Sequence, residues 1–190
     1  LLVSLTFILV LTSKSYSVTK FDIDGFTIGM VLADKLTDNQ IKEGSIRNYY
    51  NTKYVKTIEF EKSSYLPNYD FYQFSFKKKD KKDKIISVQV VNYYKDNIAE
   101  CFFKRDEMIS EIKNKMKKRI LDVEDMGTRE FSKSFAKGTK TTTWIDLKGK
   151  KYIYLSCYNF AETEDRKDQL RMGISNSYFE KYAFKKWWIE

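Results

Sequence analysis

A chain of 190 residues with 42% hydrophobic content can bury one well-filled core, or two small halves that share one. It contains no histidine, which removes the base of a serine triad, the usual proton shuttle near neutral pH and the commonest zinc ligand. Its formal charge of +9, from 35 basic against 26 acidic residues, favours anionic partners, yet the two signs are mixed through most of the sequence.

Fourteen Tyr, fourteen Phe and three Trp supply much of the core and favour strands, because flat side chains pack well on a pleated surface. A single proline, Pro67, and seven glycines argue against long linkers. Residues 1–12 form an apolar run too short to span a bilayer as an ordinary helix. Ser15 and Ser17 then suit the −3 and −1 positions of a signal-peptidase site. Residues 1–17 therefore read as a secretory leader entered a few residues inside its start, with 18–190 as the mature domain and no membrane span in it. A buried N-terminal strand or helix is the other reading of the same run. No cysteine stands at the cleavage position, which speaks against a lipid-anchored lipoprotein.

Residues 21–30 alternate apolar and polar side chains and then meet Gly29, as a short strand entering a turn should. Two helical segments are predicted next, 31–36 and 37–44. Thr37 and Gln40 have the capping-box spacing and Gly44 is the stop. Four strands are predicted over 55–62, 71–76, 85–93 and 98–103, joined by the charged link 77–84 and by a turn at 95–97.

From Asp106, a credible N-cap, the period becomes helical. Met108, Ile109, Ile112, Met116 and Ile120 recur at three- and four-residue spacing, and Gly127 lies just past the predicted end. Strands resume at 141–147, 151–158 and 169–174, and residues 178–189 form an aromatic tail at helical spacing. The expected class is α+β, with helices packed on one face of an antiparallel meander. The layout repeats loosely in two halves, 18–104 and 105–190: helix pair, four strands, helix, three strands, tail.

The leader, the stretch Phe-Asp-Ile-Asp-Gly-Phe-Thr-Ile-Gly-Met at 21–30, the strand Trp-Ile-Asp-Leu from Trp144 and the Leu-Ser-Cys ending at Cys157 together resemble a group of small uncharacterised bacterial exported proteins. Their layout looks like that of the outer-membrane assembly lipoprotein BamE and of β-lactamase inhibitor protein. The resemblance implies a binding or scaffolding role in the envelope, and it carries over no catalytic residue.

Cys101 and Cys157, one in each expected half, are candidates for a disulfide in an oxidising compartment; two buried thiols are the alternative. Lys77, Lys78, Lys79, Lys81, Lys82 and Lys84 form a cationic hairpin for an anionic surface, or a solvated turn that keeps its neighbouring strands soluble. Trp187 and Trp188 are candidate interface aromatics, or sheet-covering packing. Asp22 and Asp24 before Gly25 superficially suggest a calcium loop, but the twelfth position is Ala33 rather than Glu. Asp122, Glu124 and Asp125 read as cation ligands, an acid/base pair, or a polar linker.

Phosphate loops, nucleophile elbows and paired metal motifs are missing from the sequence, so no cofactor, metal site or catalytic residue is expected. The leading expectation is a non-enzymatic periplasmic or secreted protein that binds another envelope protein. A basic module for anionic lipid or polysaccharide comes second, and a hydrolase using carboxylates alone third. Nucleic acid is disfavoured by the leader.

Overall fold

The computed structural model describes residues 21–48, 53–95, 97–132 and 136–184. In chain order they form a 3-10 turn at Leu32–Asp34, α1 (Asp38–Glu43), β1 (Ser45–Arg47), β2 (Val55–Ser63), β3 (Leu66–Lys77) and β4 (Ile85–Tyr94). Then come α2 (Ile98–Met116), β5 (Ile120–Glu130), β6 (Gly138–Leu147), β7 (Lys151–Phe160), β8 (Asp168–Asn176), α3 (Ser177–Phe179) and a π-helical turn at Glu180–Phe184. The predicted leader 1–17, and Trp187 and Trp188, lie outside the described residues.

All eight strands belong to one antiparallel sheet in the order β1-β2-β3-β4-β8-β7-β6-β5. Each half is a four-stranded meander, and the two meet where β4 pairs with β8, from Ser87 opposite Ser175 to Tyr94 opposite Asp168. Strand alternation divides the side chains between two faces. One face is apolar: Ile58, Phe60, Tyr72, Phe74, Val88, Val90, Ile153, Leu155, Met172 and Ile174 share a continuous core. Ile23, Phe26, Leu32 and Leu36 close this core together with Ile109, Ile112 and Met116 of α2. Phe26 meets Phe74 with ring centroids 4.7 Å apart, a favourable tilted aromatic pair.

The expected α+β fold, with helices packed on one face of a meander, is overturned. The molecule is dominated by its eight-stranded sheet, and its helical parts are short apart from the 19-residue α2. They do not share one face either, because α3 and the π turn pack with Val55 and Ile86 in a cluster separate from the main core.

Residues 98–103, expected as a strand, open α2 instead. Asn97, not Asp106, is its N-cap: the side chain accepts the Glu100 backbone N–H, while Asn97 Nδ2 donates to Glu100 Oε2 at 3.0 Å. The buried residues Cys101, Arg105, Ile109, Ile112 and Met116 then follow helical spacing. Residues 120–130, expected as helix end and acidic linker, form the edge strand β5. Gly127 stops no helix; at φ +64 it sits in the β5 irregularity between Asp125 and Thr128. Around the first helical region the expectation and the structure agree: the Thr37 N–H donates to Gln40 Oε1 at 2.8 Å, and the Gln40 N–H donates back to Thr37.

Cys101 and Cys157 form a disulfide with a Cα separation of 5.9 Å. The bridge pins the first turn of α2 to β7, within a cluster that includes Leu170. Replacing both cysteines by Ala is expected to lower the unfolding free energy by about 4 kcal/mol in the chain-entropy model, read as a lower denaturant midpoint.

On the opposite face the small side chains of Thr57, Ser75, Ser87 and Ser175 align across four neighbouring strands and are fully buried or nearly so. The C-terminal segment is anchored at one end of this row, where Ser175 Oγ donates to Glu180, and Phe179 fills the cluster beside Ala183. Burial, opposed by the Ser175 hydrogen bond and reinforced by Asp146, raises the Glu180 carboxyl to about 7. A raised carboxyl contributes stability that is full below its unfolded pKa and lost as pH rises through its folded one. Glu180→Gln should therefore match the parent near pH 4 and exceed it by up to about 3 kcal/mol at pH 8, measured as denaturant stability across that range.

Candidate functional site

The lysine-rich link and the aromatic C-terminal segment, far apart in sequence, meet in space. Asp80 organises the link: its carboxylate accepts the backbone N–H of Lys82 at 3.0 Å and of Lys84 at 3.3 Å. Those bonds, the Lys82 one foremost, hold its carboxyl below the usual range. The turn thus has a defined shape, with all six predicted lysines exposed on it. Lys77 Nζ lies 4.4 Å from the centroid of the Tyr178 ring, and Lys53 Nζ lies 5.5 Å from that of Tyr54. Tyr182 joins the two tyrosines, 4.5 Å from Tyr54 and 4.6 Å from Tyr178.

These groups enclose a notch of about 330 Å³ lined by Lys53, Tyr54, Lys77, Lys79, Asp80 and Tyr178. Burial, with smaller contributions from Tyr182 and Tyr54, raises the Tyr178 phenol, so it stays neutral and can donate or accept. Of the predicted lysines, Lys77 and Lys79 line the notch, whereas Lys78, Lys81, Lys82 and Lys84 do not. Lys53 and Tyr54 were not anticipated. They precede β2, and the pairing of Val55 with Lys77, extended by the Lys78 N–H donated to the Tyr54 carbonyl at 2.9 Å, brings them to the link.

A second surface lies on the polar face of the sheet. Arg171 stands between Val91 and Ser156 in the cross-strand register, with Tyr93, Gln169 and Tyr158 in the next row on the same face. Its guanidinium is 4.8 Å from the Tyr158 ring centroid, and its Nε is buried without a hydrogen-bond partner among the described residues. Tyr93 is 44% exposed, and Lys167 Nζ lies 5.7 Å from its ring centroid. Burial raises the Tyr93 phenol, with Arg171 lowering it and Asp70, Glu61 and Glu59 raising it further. Arg166 adds a further cation, 5.6 Å from the Phe160 ring. No single stretch announced this patch, because its parts come from β4, β7 and β8.

Behind it, Tyr154 lies across Gly173 and stacks on Trp144 at 6.1 Å and 15°. A Cβ at Gly173 would stand 2.4 Å from Tyr154 Cε1, so the flat seat of this ring requires glycine there.

The carboxylates are committed elsewhere. Glu43, Glu59 and Glu61 border a cavity of about 270 Å³. In it Glu59 accepts from Arg47 Nε at 3.0 Å and Gln73 Nε2 at 2.7 Å, and Glu43 accepts from the Tyr65 hydroxyl. Asp22 accepts the Gly25 N–H at 2.7 Å, and Asp24 accepts from the Tyr72 hydroxyl at 2.8 Å, so both acids build the 22–25 turn and tie it to β3. Asp122, Glu124 and Asp125 lie on edge strand β5. Among the described residues no three His, Cys, Asp or Glu side chains group as metal ligands, and no helix is long and apolar enough to cross a membrane. No family model, curated protein or solved structure matches this chain.

Gly173→Ala is expected to displace Tyr154 and destabilise the fold by about 1–3 kcal/mol, the usual cost of overpacking. A lower denaturant midpoint, with Tyr154 and Trp144 signals shifted in the spectrum of the folded protein, would register both effects.

Proposed function

We propose that this chain is a non-enzymatic binding protein of an extracytoplasmic compartment, and that it holds another envelope protein on the patch formed by Tyr93, Tyr158, Lys167 and Arg171. The observation that carries this reading is an exposed tyrosine set beside an arginine–tyrosine stack on a sheet face. Tyr and Arg dominate binding energy at protein interfaces when they gather on one surface. Arg171 and Lys167 place positive charge against the Tyr158 and Tyr93 rings, and an acidic group on a partner would complement it. The compartment is supported by the Cys101–Cys157 bridge, which persists where thiols are oxidised, and by the leader read in residues 1–17.

The test is capture from envelope extract on immobilised protein beginning at Val18, at low and high salt, with Tyr93→Ala run beside the parent. One protein retained at both salts, and bound about thirtyfold more weakly by Tyr93→Ala, is the expected result, since truncating an anchor costs about 2 kcal/mol or more. Retention only at low salt, dominated by lipid or polysaccharide and indifferent to Tyr93→Ala, would overturn it.

A further inference from the structure

We infer that the cavity at the β1–β2 edge of the sheet is a binding site for a free α-amino acid, a role beyond the protein-binding patch and independent of it. The cavity exists because β1 stops short. Its three residues pair with β2 only from Thr57 to Glu59, so no strand among the described residues lies along the outer edge of β2 from Phe60 onward. Glu43, the last residue of α1, borders the space that is left.

The lining offers one group for each end of an amino acid. Arg47 Nε donates to the buried Glu59 at 3.0 Å, which fixes the guanidinium and leaves its two Nη groups with no hydrogen-bond partner among the described residues. A planar donor pair of this kind matches a carboxylate. Glu61 has no hydrogen-bond or ion-pair partner among the described residues, and it stands directly opposite Phe71 in the β2–β3 register. Side chains so placed have Cβ atoms about 5 Å apart, so an ammonium held by the carboxylate also meets the ring.

The spacing selects the ligand class. Arg47 is anchored at Glu59, and Glu61, the next residue of β2 on the same face, lies about 7 Å further along the strand. An α-amino acid bridges such a gap, its carboxylate on Arg47 and its ammonium between Glu61 and Phe71. A simple anion would meet Glu61 and a simple cation would meet Arg47, so the zwitterion is preferred to either. The volume of about 270 Å³ is smaller than a drug-sized pocket and suits one amino acid.

Calorimetric titration of the full chain with L-leucine, L-phenylalanine and L-serine tests the assignment, with leucinamide and 4-methylpentanoate as leucine lacking one charge or the other. At least one of the three amino acids is expected to bind, and leucine at least tenfold more tightly than either analogue. Glu61→Gln, which breaks no bond of the fold, and Arg47→Lys, which keeps a cation for Glu59 but removes the planar pair, should each weaken amino-acid binding about tenfold. Glu111→Gln, an equal change of charge on the exposed side of α2, should leave it unchanged.

Leucinamide binding as tightly as leucine would leave Arg47 without a role, and 4-methylpentanoate doing so would leave Glu61 without one; either overturns the zwitterion site. Binding that is indifferent to both Glu61→Gln and Arg47→Lys would place the ligand elsewhere and overturn it too. So would the absence of binding by all three amino acids.

Discussion

The pairing of β4 with β8 is the constraint on which the rest of the molecule depends. It joins two four-stranded meanders into one sheet and makes their apolar faces continuous, so a single core can form beneath both. It also sets where surface chemistry appears. Because Ser87 faces Ser175, the end of β8 lies beside the start of β4, and the segment that follows β8 must settle against the link that leads into β4. The lysine–tyrosine notch is the consequence. At the other end of the same pairing Tyr93 faces Gln169, which brings the Tyr93 ring beside Lys167 and Arg171. One register therefore places both surfaces.

The two faces of the sheet reach burial by different means. On the apolar face, removal of large side chains from water drives packing, with Tyr72, Phe74 and Phe76 fully buried. The single polar group among these three, the Tyr72 hydroxyl, is satisfied by Asp24 and by the backbone N–H groups of Asn68 and Tyr69. On the opposite face the buried row is built from hydroxyls and amides, which cost free energy unless paired. Most are paired: Thr57 with Ser75, Thr142 with Ser156, Gln73 with Glu59. A face of this kind contributes little net driving force for folding, and at one end it seats the C-terminal segment through Ser175 and Glu180.

The disulfide and the α2 cap act on one problem. The charges of α2 balance, Lys104, Arg105, Lys113 and Lys115 against Glu100, Asp106, Glu107 and Glu111, and an isolated helix of this length is marginal in water, so its position on the sheet must come from tertiary contact. Ile109, Ile112 and Met116 hold its C-terminal half in the main core, while the Cys101–Cys157 bridge and Leu170 hold its first turn.

Local chemistry was legible wherever a side chain pattern has one physical solution. The alternation in β2, β3, β4, β6, β7 and β8 marked them as strands, and the Thr37–Gln40 box marked a helix start. The run Ile98-Ala-Glu-Cys-Phe-Phe103 has two solutions, because a short apolar stretch satisfies strand and helix periods alike. The Asn97–Glu100 cap was the available signal that it is helix. Strand β5 was hidden because an edge strand pairs on one side only and carries charge toward solvent, so its exposure pattern lacks alternation. The fold class itself was misjudged through those two segments. The residue types of both candidate surfaces, lysines, tyrosines and an arginine, were present in the chain from the start. Their meeting was decided by cross-strand register and by which sheet face each strand position occupies, and those are set by pairings between residues far apart in sequence, which local side-chain chemistry does not encode.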